Sequence, residues 1–421
     1  MIKFYLACLF CLFCAAAAFA QPKISFDGQT RLRYEYLGNN FDLGSSGSDK
    51  RSYFRFRFSG GINADFDGFA KIYGKLTAES RSYIYNASGD ARYNINEAVI
   101  DSLFIIVPKL FNSVEIQAGR FDLSGYGEGF LIADGTPLDG SRTSYFNAAK
   151  LKIFNENNSI EFIGTYNPQY DNLPVINDQN QRLNDSDERA LIIYGKTKPS
   201  DSLYIEPYYI WKTEDHSAGS AISNAETSIN TFGAYIKYNF EKITLRGQGA
   251  LQIGNYNEQT AAAFGGYAYA DFALCNAVKP LSFGYAYLSG DDYKSDAVEA
   301  WNPLFSRYPW KSEIMASLYA AESGIGYWTN LQMFVAESNF IPFNKTSVKA
   351  SYGYLLANES FTGGIFGGGK IRGSLFTCRI SYDISENIKT YLHGEYFVPG
   401  NFYYNDAKNA VFVRAEFSAK I

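Results

Sequence analysis

The chain has 421 residues, with 38 Lys+Arg against 43 Asp+Glu and a formal net charge of −5, a balance that argues against nucleic acid as a partner. Aromatic residues make up 17%, with Tyr and Phe at 34 each, yet the mean hydropathy is −0.21. Soluble cores are built mainly from Leu, Ile and Val, so an aromatic excess without overall hydrophobicity points instead to a transmembrane barrel, where every second residue meets water and aromatic girdles mark the interfaces.

Residues 1–20 read as a cleaved secretory signal: Lys3 precedes an apolar stretch from Phe4 to Phe13, and Ala18-Phe19-Ala20 supplies a small-x-small cleavage pattern. The mature chain is expected to start at Gln21 and form a single domain over residues 21–421, with 37 Lys+Arg against 43 Asp+Glu. Phe13 before Cys14 is too bulky for a lipoprotein signal. Cys275 and Cys378 remain after cleavage, either as one bond or as two small apolar residues; no disulfide framework is available. Beyond Ala20 no apolar run approaches the ~18 residues of a membrane helix.

Period-two alternation starts at once. In 24–36 the odd positions are Ser25, Asp27, Gln29, Arg31, Arg33 and Glu35, while the even set includes Ile24, Phe26, Leu32, Tyr34 and Tyr36. In 53–62, Phe54, Phe56 and Phe58 alternate with Arg55 and Arg57. An arginine facing lipid near the midplane costs roughly 2–4 kcal/mol, so the phenylalanines are expected to face lipid and the arginines an aqueous interior. The pattern recurs at 70–78, 98–106, 114–118, 149–153, 160–166, 191–195, 203–211, 232–238, 243–253, 264–274, 281–287, 331–335, 348–356, 374–384, 388–396 and 411–421, which predicts about eighteen strands.

The connections alternate in length. Short turns fall at 65–68, 111–112, 156–158, 199–201, 240–242, 276–280, 342–344 and 385–387. Between them lie longer polar segments at 38–50, 86–94, 122–143, 171–188, 214–227, 255–260, 290–324, 358–369 and 399–408. Periplasmic turns and extracellular loops differ in this way in outer-membrane barrels, with both termini in the periplasm. The last strand ends in Phe417 and Ile421, and resembles the C-terminal strand read by barrel-assembly machinery, although an aromatic residue usually stands last.

The residues for a catalytic or metal site are sparse. His216 lies in an acidic loop, and His393 falls on the inward face beside Glu395, with Ser381 or Ser374 as candidate neighbours; no catalytic triad, nucleotide loop or cofactor motif emerges. The stronger constellation is inward charge: Arg31, Arg33, Arg55, Arg57, Lys71, Lys75, Arg120, Lys150, Lys152, Lys212, Lys237, Arg246 and Arg379 against Asp27, Glu35, Glu97, Asp101, Glu115, Glu161, Glu206 and Glu395. Such a lumen either favours anions or consists of Arg–Glu ladders that satisfy one another. The outer loops are acidic, with Asp122, Glu128, Asp134 and Asp139 in one and Asp291, Asp292, Asp296 and Glu299 in another, a composition suited to solvation or to cations bridging lipopolysaccharide.

Two segments stand out. One is Gly119-Arg120-Phe121-Asp122-Leu123-Ser124-Gly125-Tyr126-Gly127-Glu128-Gly129; the other is Trp301-Asn302-Pro303-Leu304-Phe305-Ser306-Arg307-Tyr308-Pro309-Trp310 in the longest loop. Apolar residues inside a long loop imply packing, either inward as a constriction, the reading preferred, or against the barrel rim. With Gly140-Ser141-Arg142, these segments resemble the alginate-export family of outer-membrane barrels, with Ser306 where a proline is usual. The resemblance implies an eighteen-stranded monomeric barrel, with Arg120 and Arg142 in a lumen for acidic polysaccharide or small acidic solutes. The resulting expectation is a passive outer-membrane channel without cofactor; the alternative is a barrel acting as adhesin or receptor through its loops. About 400 residues are too few for a 22-stranded receptor with a plug.

Overall fold

The computed structural model describes residues 21–44, 50–86, 98–133, 146–170, 186–215, 226–257, 259–274, 278–306, 311–323 and 328–421. The proposed signal segment, Glu97, Asp134, Asp139, Arg142, His216, Cys275 and Arg307 lie outside them; Cys378 is a free thiol on the exposed face.

Eighteen antiparallel strands form one sheet: β1 Lys23–Gly38, β2 Arg51–Phe66, β3 Ala70–Asn86, β4 Ala98–Leu110, β5 Val114–Phe121, β6 Phe146–Phe154, β7 Asn158–Asn167, β8 Glu188–Thr197, β9 Leu203–Glu214, β10 Thr227–Phe240, β11 Ile243–Tyr256, β12 Gln259–Phe272, β13 Val278–Leu288, β14 Leu331–Phe340, β15 Thr346–Leu356, β16 Ile371–Asp383, β17 Ile388–Pro399 and β18 Ala410–Lys420. Each pairs with the next, and β1 pairs with β18 from Gln29 opposite Lys420 to Gly38 opposite Val411, which closes the barrel. Beyond β18, Ile421 exchanges backbone hydrogen bonds with Gly28 at 3.0 and 3.2 Å. Closure matters physically, because an open sheet edge would leave unpaired N–H and C=O groups in hydrocarbon.

All eighteen predicted segments are strands, and most run further at their long-loop ends; β3, expected to stop at 78, reaches Asn86. There the side chains rise beyond lipid, so the apolar–polar contrast that marks a strand in sequence fades before the pairing does. Within the apolar band the alternation is sharp. Phe54, Phe56 and Phe58 are 44–54% exposed, whereas Arg55 and Arg57 are 5% and 2%. The short turns use local chemistry: at 65–68 the Asp65 carboxylate accepts the Gly68 N–H at 2.8 Å, and Gly68 takes φ +76°.

Two loops contain structure that alternation did not reveal. The β15–β16 loop holds a minimal hairpin, Thr362–Gly363 with Phe366–Gly367. The β13–β14 loop holds one helix, α1 Glu313–Ser323, which is too short to cross a membrane. Its Ala, Leu, Met and Glu residues favour helix, and Ser312 caps it by accepting the Met315 N–H at 3.1 Å. Ile314, Met315, Leu318 and Tyr319 are fully buried. The apolar core therefore lies within the barrel, where loops pack on inward-facing strand residues.

Candidate functional site in the barrel lumen

Register brings the inward arginines into opposition. Arg31 lies across from Arg57, and Arg33 across from Arg55. Like charges in that position destabilise a sheet unless carboxylates intervene. They do: Glu79 on β3 accepts from Arg31 at 2.9 Å and from Arg55 at 2.8 Å, and Glu416 on β18 accepts from Arg33 at 2.6 and 2.8 Å. Glu35 accepts from Arg414 at 2.7 Å and from Arg55 at 3.3 Å. These side chains are buried, and so is Arg57. The lattice ties β1, β2, β3 and β18 together across the seam where the barrel closes, and paired burial of this kind is tolerated only because each charge meets its opposite.

The inward lysines sit differently. Lys71 meets Asp65 at 3.0 Å, Lys75 meets Asp101 at 3.0 Å, Lys150 meets Glu115 at 3.0 Å and Lys152 meets Glu161 at 3.6 Å. Their side chains are 41%, 14%, 15% and 29% exposed, against 0–5% for Arg31, Arg33 and Arg55. Arg246 reaches Asp271 at 2.7 Å and also binds Glu128. Lys212 is buried between Glu188, at 3.2 Å, and Glu214. Arg120 is buried and donates to the Ile100 carbonyl at 2.9 Å and to Asn147 at 3.1 Å. Its neighbour Gly119 has φ +127°, and a Cβ there would stand 2.3 Å from the Leu103 carbonyl oxygen, so the Gly-Arg pair is a requirement of β4–β5 packing.

The two segments singled out in sequence meet inside the barrel. After β5 the chain turns inward: Tyr126 donates to Glu161 at 2.6 Å, the Gly127 N–H to Glu206 at 2.6 Å, and Lys196 to the Gly125 carbonyl at 2.6 Å. Burial, then the Glu161 carboxylate, push the Tyr126 phenol up, which keeps it a proton donor. Phe130 stacks on Trp301 at 5.2 Å, the Phe305 N–H donates to the Leu131 carbonyl at 3.0 Å, and Ser306 donates to the Gly129 carbonyl at 2.6 Å. Asn302 exchanges two hydrogen bonds with Gln252 on β11, and Lys212 on β9 donates to the Leu304 carbonyl at 2.8 Å. Trp301 lies over Gly265, where a Cβ would fall 2.6 Å from the indole. Pro303 is buried with them. The 301–306 segment thus folds inward.

The second half of that loop docks on other strands. Glu395 of β17 accepts from Ser312, from the Glu313 N–H at 3.0 Å and from the Ile314 N–H at 3.1 Å, so a wall carboxylate sits at the N-terminus of α1. Hydrogen bonds to a charged acceptor are worth about 1.5–3 kcal/mol each. Glu313 pairs with Arg414 at 2.7 Å, and Glu322 accepts from Arg372 at 2.8 Å and from Tyr403 at 3.0 Å. Burial lowers the Lys311 ammonium, against Glu337 and Glu128, which raise it.

Strict alternation named fewer inward acids than the lumen contains. Glu79, Glu337 and Arg372 lie just outside the segments expected at 70–78, 331–335 and 374–384, whereas Asp271, Arg414 and Glu416 fall on inward positions of expected strands that the inward set read from the sequence leaves out. His393 contacts Glu395 at 2.9 Å, and its register partners are Arg379 and Arg414. Ser381 is paired with Tyr391 and Ser374 with Val398, so neither is the neighbour expected for His393. Arg379 lies over the Tyr391 ring at 4.6 Å. Among the described residues no group of three or more His, Cys, Asp or Glu side chains is arranged to hold a metal.

Solved structures with the same architecture are outer-membrane proteins at low identity. OccAB2 of Acinetobacter baumannii aligns with TM-score 0.64 at 9% identity, over 95% of this chain and 98% of that one. OccAB1 of the same organism gives 0.62 at 12%, over 94% and 96%, and OpdQ of Pseudomonas aeruginosa gives 0.60 at 10%, over 94% and 98%. No curated protein sequence matches. The family model for alginate export matches residues 23–414, nearly the whole barrel from β1 into β18, and the chain therefore belongs to the alginate export family.

Proposed function

We propose that this outer-membrane barrel is a channel through which small or anionic solutes, acidic polysaccharide among them, diffuse passively past a basic lumen. The observation that carries the reading is the division among inward cations. The arginines Arg31, Arg33, Arg55 and Arg57 are dry, whereas Lys71, Lys75, Lys150 and Lys152 on β3 and β6 touch solvent. An ion pair that touches solvent is weaker than a fully buried one, so such a lysine is more readily lent to a passing anion. Breaking a buried pair costs about 3–5 kcal/mol, so the arginines act from behind as fixed positive potential. The inward loops at Phe130, Trp301, Asn302, Pro303, Leu304 and Phe305 set the size limit, and Arg142 and Arg307 are assigned to the same passage. Catalysis has no support in the His393 surroundings, where Ser312 hydrogen-bonds to Glu395 rather than to the imidazole.

Planar-bilayer recording tests the reading. Discrete openings are expected, with a reversal potential in a salt gradient that favours anions and shifts towards cations in Lys150→Glu/Lys152→Glu. A folded protein that gives no openings sinks the proposal and leaves an adhesin or receptor role through the loops. Residues 1–20 are assigned to a cleaved export signal, checked by an N-terminus at Gln21 in the purified protein. The last strand is assigned to recognition by assembly machinery, and lipopolysaccharide to the outer leaflet around the loops; Phe417→Ala is expected to slow assembly.

A further inference from the structure

The β13–β14 loop is seated on two different walls. Asn302 and Leu304 are held by β11 and β9, whereas α1 is held by β16, β17 and β18. In a ring of eighteen strands, β9–β11 and β16–β18 are far apart, so the described parts 301–306 and 311–323 rest on separate arcs of the wall. On the far side Glu395 is a wall residue that binds the helix backbone. It is buried and surrounded by donors: Ser312, the N–H groups of Glu313 and Ile314, and the His393 ring. Arg414 and Arg379 flank His393 in register, and Glu313 of the helix faces Arg414. A negative charge belongs at that point, since a helix N-terminus is electropositive and the neighbouring wall is basic.

Resting on the channel reading above, we propose that Glu395 is the positioning residue that sets the aperture: its carboxylate keeps α1 seated against β17, and without it α1 loosens and the passage widens. An amide of the same shape does not substitute. Gln carries one acceptor oxygen, which can serve Ser312 and Ile314, but its NH2 group would stand where the other carboxylate oxygen accepts, facing the Glu313 N–H and requiring the other tautomer of His393. Two of the four bonds to Glu395 come from the helix backbone, which complements the side-chain pairs Glu313–Arg414 and Glu322–Arg372.

The test compares wild type, Glu395→Gln and Glu395→Asp, each confirmed as a folded barrel by heat-modifiable gel mobility. Single-channel conductance in Glu395→Gln is expected to rise about twofold, with frequent substates, as a wider constriction requires. Glu395→Asp is expected to return towards wild type. A merely structural role would lower the yield of folded barrel while leaving each folded channel's conductance unchanged; that result overturns the proposal. Amide hydrogen exchange across 313–323 supplies a readout that needs no current: faster exchange in Glu395→Gln supports the seat, and equal protection overturns it. Should Glu395→Gln fail to fold, His393→Phe removes one of the four donors while leaving the Ser312 cap in place, and is read in the same two ways. A wild-type protein that folds but never conducts removes the channel reading, whereas the exchange result still decides whether Glu395 seats the helix.

Discussion

The lumen has two contrasting walls. Around the closing seam, β1, β2, β3 and β18 present a lattice of buried arginines and glutamates. On β8 to β12 the inward residues include the tyrosines Tyr194, Tyr208, Tyr235, Tyr267 and Tyr269, with Tyr194 donating to Glu206 and Phe130 of the β5–β6 loop packed on Tyr267. The first wall chiefly joins strands to strands, whereas the second also carries the β5–β6 loop, whose Tyr126 meets Tyr194 and whose Gly127 N–H shares Glu206. Ion pairs suit the seam because they connect residues as far apart in the chain as Arg33 and Glu416, 383 positions, and hold one register. Tyrosine suits a docking bed because one side chain offers a flat apolar face and a single polar tip.

The sharpest way to break the first wall is Arg414→Met, which leaves both Glu35 and Glu313 without that partner. A loss of about 3–5 kcal/mol is expected in urea unfolding from lipid vesicles. The pair Arg33→Met with Glu416→Met sharpens the point: replacing both partners is expected to change stability far less than either single change, which a double-mutant cycle measures. On the second wall, Tyr194→Phe removes the hydroxyl that binds Glu206, a change of about 1–3 kcal/mol. Its expected signature is added current noise as the β5–β6 loop loosens, with a fall in the unfolding midpoint smaller than that of Arg414→Met. If Tyr194→Phe instead lowers the unfolding midpoint as much as Arg414→Met, the division between the walls is wrong. Lys150→Glu with Lys152→Glu, between the walls, is expected to move the reversal potential and to cost about 1 kcal/mol, since each new carboxylate faces Glu115 or Glu161.

The smallest effect belongs outside both walls. In the turn before β9, the Lys198 hydrogen bond holds the Asp201 carboxyl below its usual range. A depressed carboxyl contributes stability above its unfolded pKa and loses it as pH falls through the folded one. Asp201→Asn is therefore expected to flatten a slight acid limb in the stability profile and to leave conductance unchanged.

Much of this architecture was legible in the chain alone. The strands, their lipid face and the alternation of short and long connections follow from period-two patterning and from the cost of a charge in hydrocarbon, both local in sequence. Phe54 and Arg55 part company whatever the rest of the barrel does. The prominence of 119–129 and 301–310 was also visible, as apolar residues in unusual places. What the chain did not disclose is how the interior is settled. That Arg414 lies between Glu35 and Glu313, that Phe130 lies on Trp301, and that Glu395 meets the end of α1 depend on register, closure and loop path. Those are decided only when strands from the two ends of the chain are brought side by side, because a charge's partner in a barrel is set by geometry across strands and not by spacing along one.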